Sequence, residues 1–204
     1  MTVLALDTAS PRPAVALWSS SRLFEEPLPG DRRASEDLLP AVRTVLARAG
    51  IGLSDCGRIG VCAGPGSFTG VRVGLATAWG FGRAAGIPVE AVSTLEAIAE
   101  AARAPGRSRV VAAIDAGRGD VVAERFDLSG ARARSAAAPI LLPADALAKY
   151  AGEDPVAVAL AGVAAALAKA IGRSPGASAP ADSRLGIPAI YSRPSAAEEK
   201  HGAA

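Results

Sequence analysis

Residues 58 to 85 constrain this chain more than any other segment. The apolar run from Arg58 to Ala63 reads as a strand and passes directly into Gly64-Pro65-Gly66-Ser67-Phe68-Thr69-Gly70, after which a helical pattern runs to about Ala85. A glycine-rich turn between strand and helix is the local form of a crossover in a parallel sheet. Its backbone N–H groups can in principle form an anion site at the helix start. The spacing is not that of a P-loop, which needs GxxxxGK[ST], and it misses GxGxxG because the glycines stand at 64, 66 and 70. The plainer reading is a tight turn with glycine at positive φ and Ser67 or Thr69 as N-cap.

The helix after the turn is unusual. From Val71 to Ala85 its only charges are Arg72 and Arg83. A surface helix carries a polar face, so this one is expected to be covered on two sides. Gly70, Gly74 and Ala78 recur every four residues, a spacing that lets another helix approach closely, with Val71, Leu75 and Trp79 as the adjacent ridge of larger side chains. The sheet covers one side. The other is expected to meet the helix from Glu36, a second subunit, or both.

On either side the chain alternates in the same manner. Thr2–Leu6, Pro13–Trp18 and Leu23–Leu28 read as an antiparallel meander. Residues 35–49 read as a helix with Ser35 as N-cap, Glu36 and Asp37 at its positive end, Pro40 in its first turn, and Leu38, Val42, Val45, Leu46 and Ala49 as its apolar stripe. Pro88–Val92 is a strand, and Ser93-Thr94-x-Glu96 opens a helix as a capping box. After Ala104-Pro105-Gly106, read as a hinge, strands are expected at Arg109–Ile114 and Asp120–Phe126, a helix at Pro143–Tyr150, a buried strand at Val156–Ala161 and a helix at Val163–Ile171. The expected organisation is an N-terminal lobe of residues 1–104, a C-terminal lobe of 105–194 and a frayed tail of 195–204.

Composition limits the chemistry. The chain has 204 residues, half of them hydrophobic, which is enough for a core. One His and two Cys leave little for zinc sites, disulfide frameworks or His-based catalysis, and Cys56 and Cys62 read as buried thiols. His201 lies four residues from the end, so neither Ser67 nor Cys62 has a partner base. No apolar run is long enough to span a membrane and MTVLALDTAS lacks the features of a secretory signal, so a cytoplasmic protein is the expectation. A net charge of +2 falls short of a strong nucleic-acid footprint. Two aspartates at strand ends remain, Asp7 (followed by Thr8) and Asp115. Each can hold a metal–phosphate or simply close an Asx turn.

LALDTAS-x-x-PAVAL, ASEDLLPAV, GVCAGPGSFTGVRVGLATAWGFG, VEAVSTLEAIA, AAIDAGRGDVVAE and PAIYSRPSAAE stand in the order seen in the TsaB (YeaZ) family, which the chain resembles. The resemblance is strong over residues 1–127 and weaker beyond. It implies a duplicated actin-like/RNase H-like α/β fold (the ASKHA superfamily) of two small lobes with mixed sheets. It also implies a non-catalytic paralogue of TsaD, the subunit that transfers threonylcarbamoyl to N6 of adenosine 37 in tRNA. By the same resemblance the partners are TsaD, the ATPase TsaE and a second copy of the chain, with tRNA reached through the complex. No cofactor is implied for this subunit itself, and ATP or ADP would sit at the complex interface or on TsaE. Pairing in the family uses the two N-lobe helices, which places Leu38, Leu39, Val42, Val71, Arg72, Leu75 and Trp79 at the interface. Asp7, Thr8 and Asp115 would be remnants of a nucleotide site. Two departures stand out: Ala34 replaces a His common before the first helix, and Asp115-Ala116-Gly117-Arg118 replaces Asp-Ala-Arg-Arg. A small kinase or ATPase of the same fold, using Asp7 and Asp115, is the competing reading. Arg32, Arg33, Arg132 and Arg134 are the cations offered for tRNA phosphates.

Overall fold

The computed structural model describes residues 1–19, 21–29, 34–158 and 162–173. Its first sheet has the order β3-β2-β1-β4-β5, from β1 (Val3–Asp7), β2 (Ala14–Ser19), β3 (Arg22–Pro27), β4 (Arg58–Cys62) and β5 (Val89–Val92). The first three strands form the expected antiparallel meander, and β4 and β5 join parallel to β1. The parallel joins need crossovers, which α1 (Ala34–Ala49) and α2 (Phe68–Ala85) provide. After α3 (Thr94–Ala101) the second sheet is built from β6 (Arg109–Gly117), β7 (Asp120–Asp127), β8 (Arg134–Ser135), β9 (Ile140–Pro143) and β10 (Val156–Val158). Its path is β10-β6-β7-β8, with β9 also on β7. α4 (Leu147–Ala151) precedes β10 and α5 (Val163–Arg173) closes the described chain.

Alternation along β4 shows how the first sheet is covered. Val61 faces α2, where a Cβ on Gly74 would touch its Cγ2, whereas a Cβ on Gly60 would run into Ile171 of α5 at 2.4 Å. Gly172 likewise leaves room for the Trp18 ring of β2. The first sheet therefore takes the helix on one of its faces from the C-terminal half of the chain. Buried residues of both sheets, among them Leu4, Val61, Ile114 and Phe126, form one contiguous cluster with Leu95 of α3 and Leu167 of α5. Ala104-Pro105-Gly106 does form a turn between α3 and β6, and packing runs past it.

Several expectations need correction. α1 begins at Ala34, so Ser35 lies inside the helix and is not its cap, and Pro40 is the seventh helical residue, outside the first turn. Pro40 and Glu36 are both exposed, so water can take the Glu36 carbonyl that Pro40 cannot serve. Ser93 caps α3 by accepting from Leu95 N, but Glu96 turns to Arg132 and leaves the capping box half made. The helix expected at 143–150 is present as a 3-10 turn at Ala144–Ala146 that runs into α4, and only its first residue, Pro143, belongs to β9. Val156 and Val158 are about half exposed rather than buried, because β10 is an edge strand whose Ala157 alone faces the core. Residues 159–161, the stretch after Arg173 and His201 lie outside the described residues. Among those described, no helix is long and apolar enough to cross a membrane.

Candidate functional site

The motif loop is clamped from two sides, by the start of α3 and by the β1–β2 turn. Gly64 exchanges hydrogen bonds with Thr94, donating to its Oγ1 and accepting from its N–H. Gly64 sits at φ +100° ahead of a cis Pro65, and Gly66 at φ +153°. Ser67 donates its N–H to Ala9 O at 2.9 Å and caps α2 by accepting from Gly70 N at 3.2 Å. Thr8 Oγ1 donates to Gly70 O at 2.6 Å, so the β1–β2 turn is fastened onto the first turn of α2. Replacing Ser67 by Ala should cost about 1 kcal/mol, the usual value of an N-cap side chain, read from a chemical-denaturation midpoint.

Gly70 and Gly74, two of the three small residues of the α2 stripe, serve this docking. A Cβ on Gly70 would lie 1.8 Å from Thr8 O, and one on Gly74 would lie 2.4 Å from Thr8 Oγ1. The close neighbour is Thr8 in the β1–β2 turn, by its carbonyl at Gly70 and by its hydroxyl at Gly74, which a one-dimensional spacing cannot distinguish from a second helix.

Asp7 is fully buried at the centre of that turn. Its Oδ1 accepts from Ala9 N and Ser10 N, and its Oδ2 accepts from Ser10 Oγ at 2.5 Å. Burial raises its pKa, and the hydrogen bonds from Ser10 and Ala9 oppose that rise. The neighbouring Cys62 thiol is pushed well up by burial and by the Asp7 charge, and burial and Asp55 raise Cys56 to about 11. Both are inert, buried thiols. Asp115 is exposed and accepts from Gly117 N at 2.7 Å across a bulge at the end of β6, and the β6–β7 turn that follows holds Arg118 at φ +61°. Each aspartate thus closes its own Asx turn, and Thr8 is spent on α2. No group of three or more His, Cys, Asp or Glu that could hold a metal is found among the described residues.

The seven residues assigned to an interface divide into two sets. Leu38, Val42, Val71 and Leu75 are buried in this chain's own core, where they join α1 and α2 to the sheet. Leu39 is 45% exposed, and Arg72 is exposed with its guanidinium 3.8 Å from the centre of the Phe68 ring, while Trp79 is half-buried. The outward face of α2 carries Arg72, Ala76, Gly80 and Arg83, all exposed. Ala76 and Gly80 escape a search for large apolar side chains. Their signal is the three- and four-residue spacing from Arg72 to Arg83. Of the arginines offered to tRNA, Arg132 is held by Glu90 and Glu96, Arg134 is exposed, and Arg32 and Arg33 lie outside the described residues.

Two mixed sheets, the first with its parallel strands wrapped by helices on both faces, define an actin-like/RNase H-like α/β protein. The family model for TsaD, tRNA N6-adenosine threonylcarbamoyltransferase, matches residues 27–174. The structure of YeaZ from Pseudomonas aeruginosa superposes with a TM-score of 0.75 at 30% identity, covering 91% of this chain and 98% of that one. The tRNA threonylcarbamoyladenosine biosynthesis protein TsaB of Escherichia coli is 40% identical over 122 residues, 59% of this chain and 53% of its own length. The Haemophilus influenzae TsaB is 38% identical over 122 residues, 59% of this chain and 52% of its own length. The chain spans about half the length of these curated relatives. It belongs to the TsaB/YeaZ family.

Proposed function

We propose that this chain acts in the formation of threonylcarbamoyladenosine on tRNA as a subunit without an active site of its own, docking through α1 and α2 onto a TsaD-type transferase. The observation that carries this reading is the outward face of α2. An exposed helix face made of Ala76 and Gly80, bounded by Arg72 and Arg83 with Phe68 beside Arg72, is poor in charge for a solvated surface and its small side chains permit close helix packing, and α1 adds the exposed Leu39. Two further facts support the accessory role: Asp7 is consumed within its turn, and the Ser67 and Gly70 amides are already bonded. A TsaE-type ATPase joins the assembled pair, any ATP or ADP belongs to that assembly, and the same face serves a homodimer when the partner is absent.

The test is reconstitution of tRNA modification by TsaD and TsaE with and without this chain. Activity that does not depend on it overturns the proposal. Ala76→Glu and Leu39→Glu place charge on exposed positions, so each should abolish co-purification with TsaD while leaving the melting temperature within a few degrees. An intact complex in both variants would remove α1 and α2 from the interface. The competing kinase or ATPase reading predicts ATP hydrolysis by the purified chain alone, lost in Asp7→Ala.

A further inference from the structure

A second feature lies away from this interface, between α3 and α5. An open cavity of about 360 Å³ is lined by Glu100, Arg103, Lys169 and Arg173, with Ala165 and Ala166 as part of its wall. Glu100 is almost wholly buried and draws two arginines together. It accepts from Arg103 Nε and Nη2, both at 3.0 Å, from Arg173 Nη2 at 2.6 Å, and from the Ala133 N–H. Without that carboxylate the two guanidiniums would repel each other, and with it both are fixed at the mouth of one cavity.

The charge does not balance. Three cationic side chains line the cavity against one carboxylate, and that carboxylate is already saturated by four donors. Lys169 lies one helical turn before Arg173 on the same face of α5 and is exposed. Planar guanidiniums held in place, a mobile ammonium and a surplus of positive charge are the donor set for a tetrahedral, multiply charged oxyanion.

We propose that this cavity binds a phosphate group, with Lys169 and Arg173 as its direct donors, Arg103 alongside, and Glu100 as the residue that positions both arginines. The cavity opens to solvent on one side, so the phosphate can belong to a polynucleotide backbone that passes over it. That the polynucleotide is tRNA rests on the function proposed above, whereas the phosphate site itself does not.

The test uses the full chain and fluorescently labelled, unmodified tRNA, followed by anisotropy at low and moderate salt, with Lys169→Glu against Lys149→Glu, another exposed lysine, on α4. Lys169→Glu should weaken binding about ten-fold and lower the salt slope by about one, with Lys149→Glu near wild type. Phosphorus NMR of inorganic phosphate supplies the second arm: line broadening by the wild-type chain should disappear in Lys169→Glu. Broadening that depends on Lys169 while tRNA binding does not would assign the site to a free phosphate and overturn the RNA source. Equal weakening by the two lysine variants, or no dependence on Lys169 in either arm, would overturn the site. A chain that passes this test yet is dispensable for tRNA modification would retain the phosphate site and lose only its proposed function.

Discussion

Glu100→Ala should destabilise the chain by about 3–5 kcal/mol, the cost of removing one member of a buried ionic cluster and leaving its partners uncompensated. For a chain of this size that corresponds to a fall in Tm of about 10 °C, measured by calorimetry. The effect is large because Glu100 joins three parts of the fold. Arg103 follows α3 and also donates to Leu128 O and Gly130 O after β7, Arg173 ends α5 and donates to Ala131 O, and Ala133 leads into β8. Burial alone would raise the Glu100 pKa, but its bonds from Arg103 and Ala133 and the charges of Arg103 and Arg173 outweigh burial and hold it below the ordinary 4.5. A carboxylate whose pKa is depressed on folding stabilises the native state above its unfolded pKa. The contribution is lost as pH falls through 4.5 and then through the lower folded value. Wild-type stability should therefore decline across that acid range more steeply than that of Glu100→Ala. A change in stability below about 1 kcal/mol in the variant would show that the cluster is a surface network of little consequence.

The second large effect is a contrast between two glycines of one helix. Gly70→Ala places a methyl group 1.8 Å from the carbonyl oxygen of Thr8, and backbone on both sides must move. The expected cost is above about 3 kcal/mol, at the upper end of the range for overpacked sites. Gly80→Ala meets nothing within 4 Å and should stabilise by about 0.5–1 kcal/mol through helix propensity alone. Denaturation midpoints of the two variants decide the matter. If they shift in the same direction, α2 does not rest on the β1–β2 turn as described.

Most of the first sheet was legible in sequence, for reasons local to each segment. Alternation and turn residues marked the meander, and Gly66, Ser67 and Gly70 announced a tight strand-to-helix junction whose backbone geometry few other residues permit. The family motifs were legible for the same reason, since they hold the residues that such a junction requires. The second half was less so. β9 and β10 are short edge strands with little periodicity, and the 140–143 segment carries no helix or strand signal strong enough to separate it from the helical turns beyond Pro143.

The candidate site was only half visible. Sequence singled out the uncharged helix as a surface to be covered, but it assigned Leu38, Val42, Val71 and Leu75 to a partner when they are this chain's own core. Periodicity places residues on a face and does not say what the face meets. Whether Gly70 and Gly74 receive a neighbouring helix or Thr8 depends on where β1 ends, which is a three-dimensional fact.

By itself, then, the sequence determined the strand–turn–helix junction at 58–85, the parallel crossover that such a junction makes, and the family. Those rest on φ restrictions, capping and apolar spacing, which act between near neighbours. Only the tertiary structure decided that Asp7 is spent within its own turn and Thr8 on holding α2, that α5 returns to cover the first sheet, and that Glu100 gathers Arg103 and Arg173 beside Lys169. These depend on contacts between residues far apart in the chain, whose partners are set by packing and by the need to pair every buried charge.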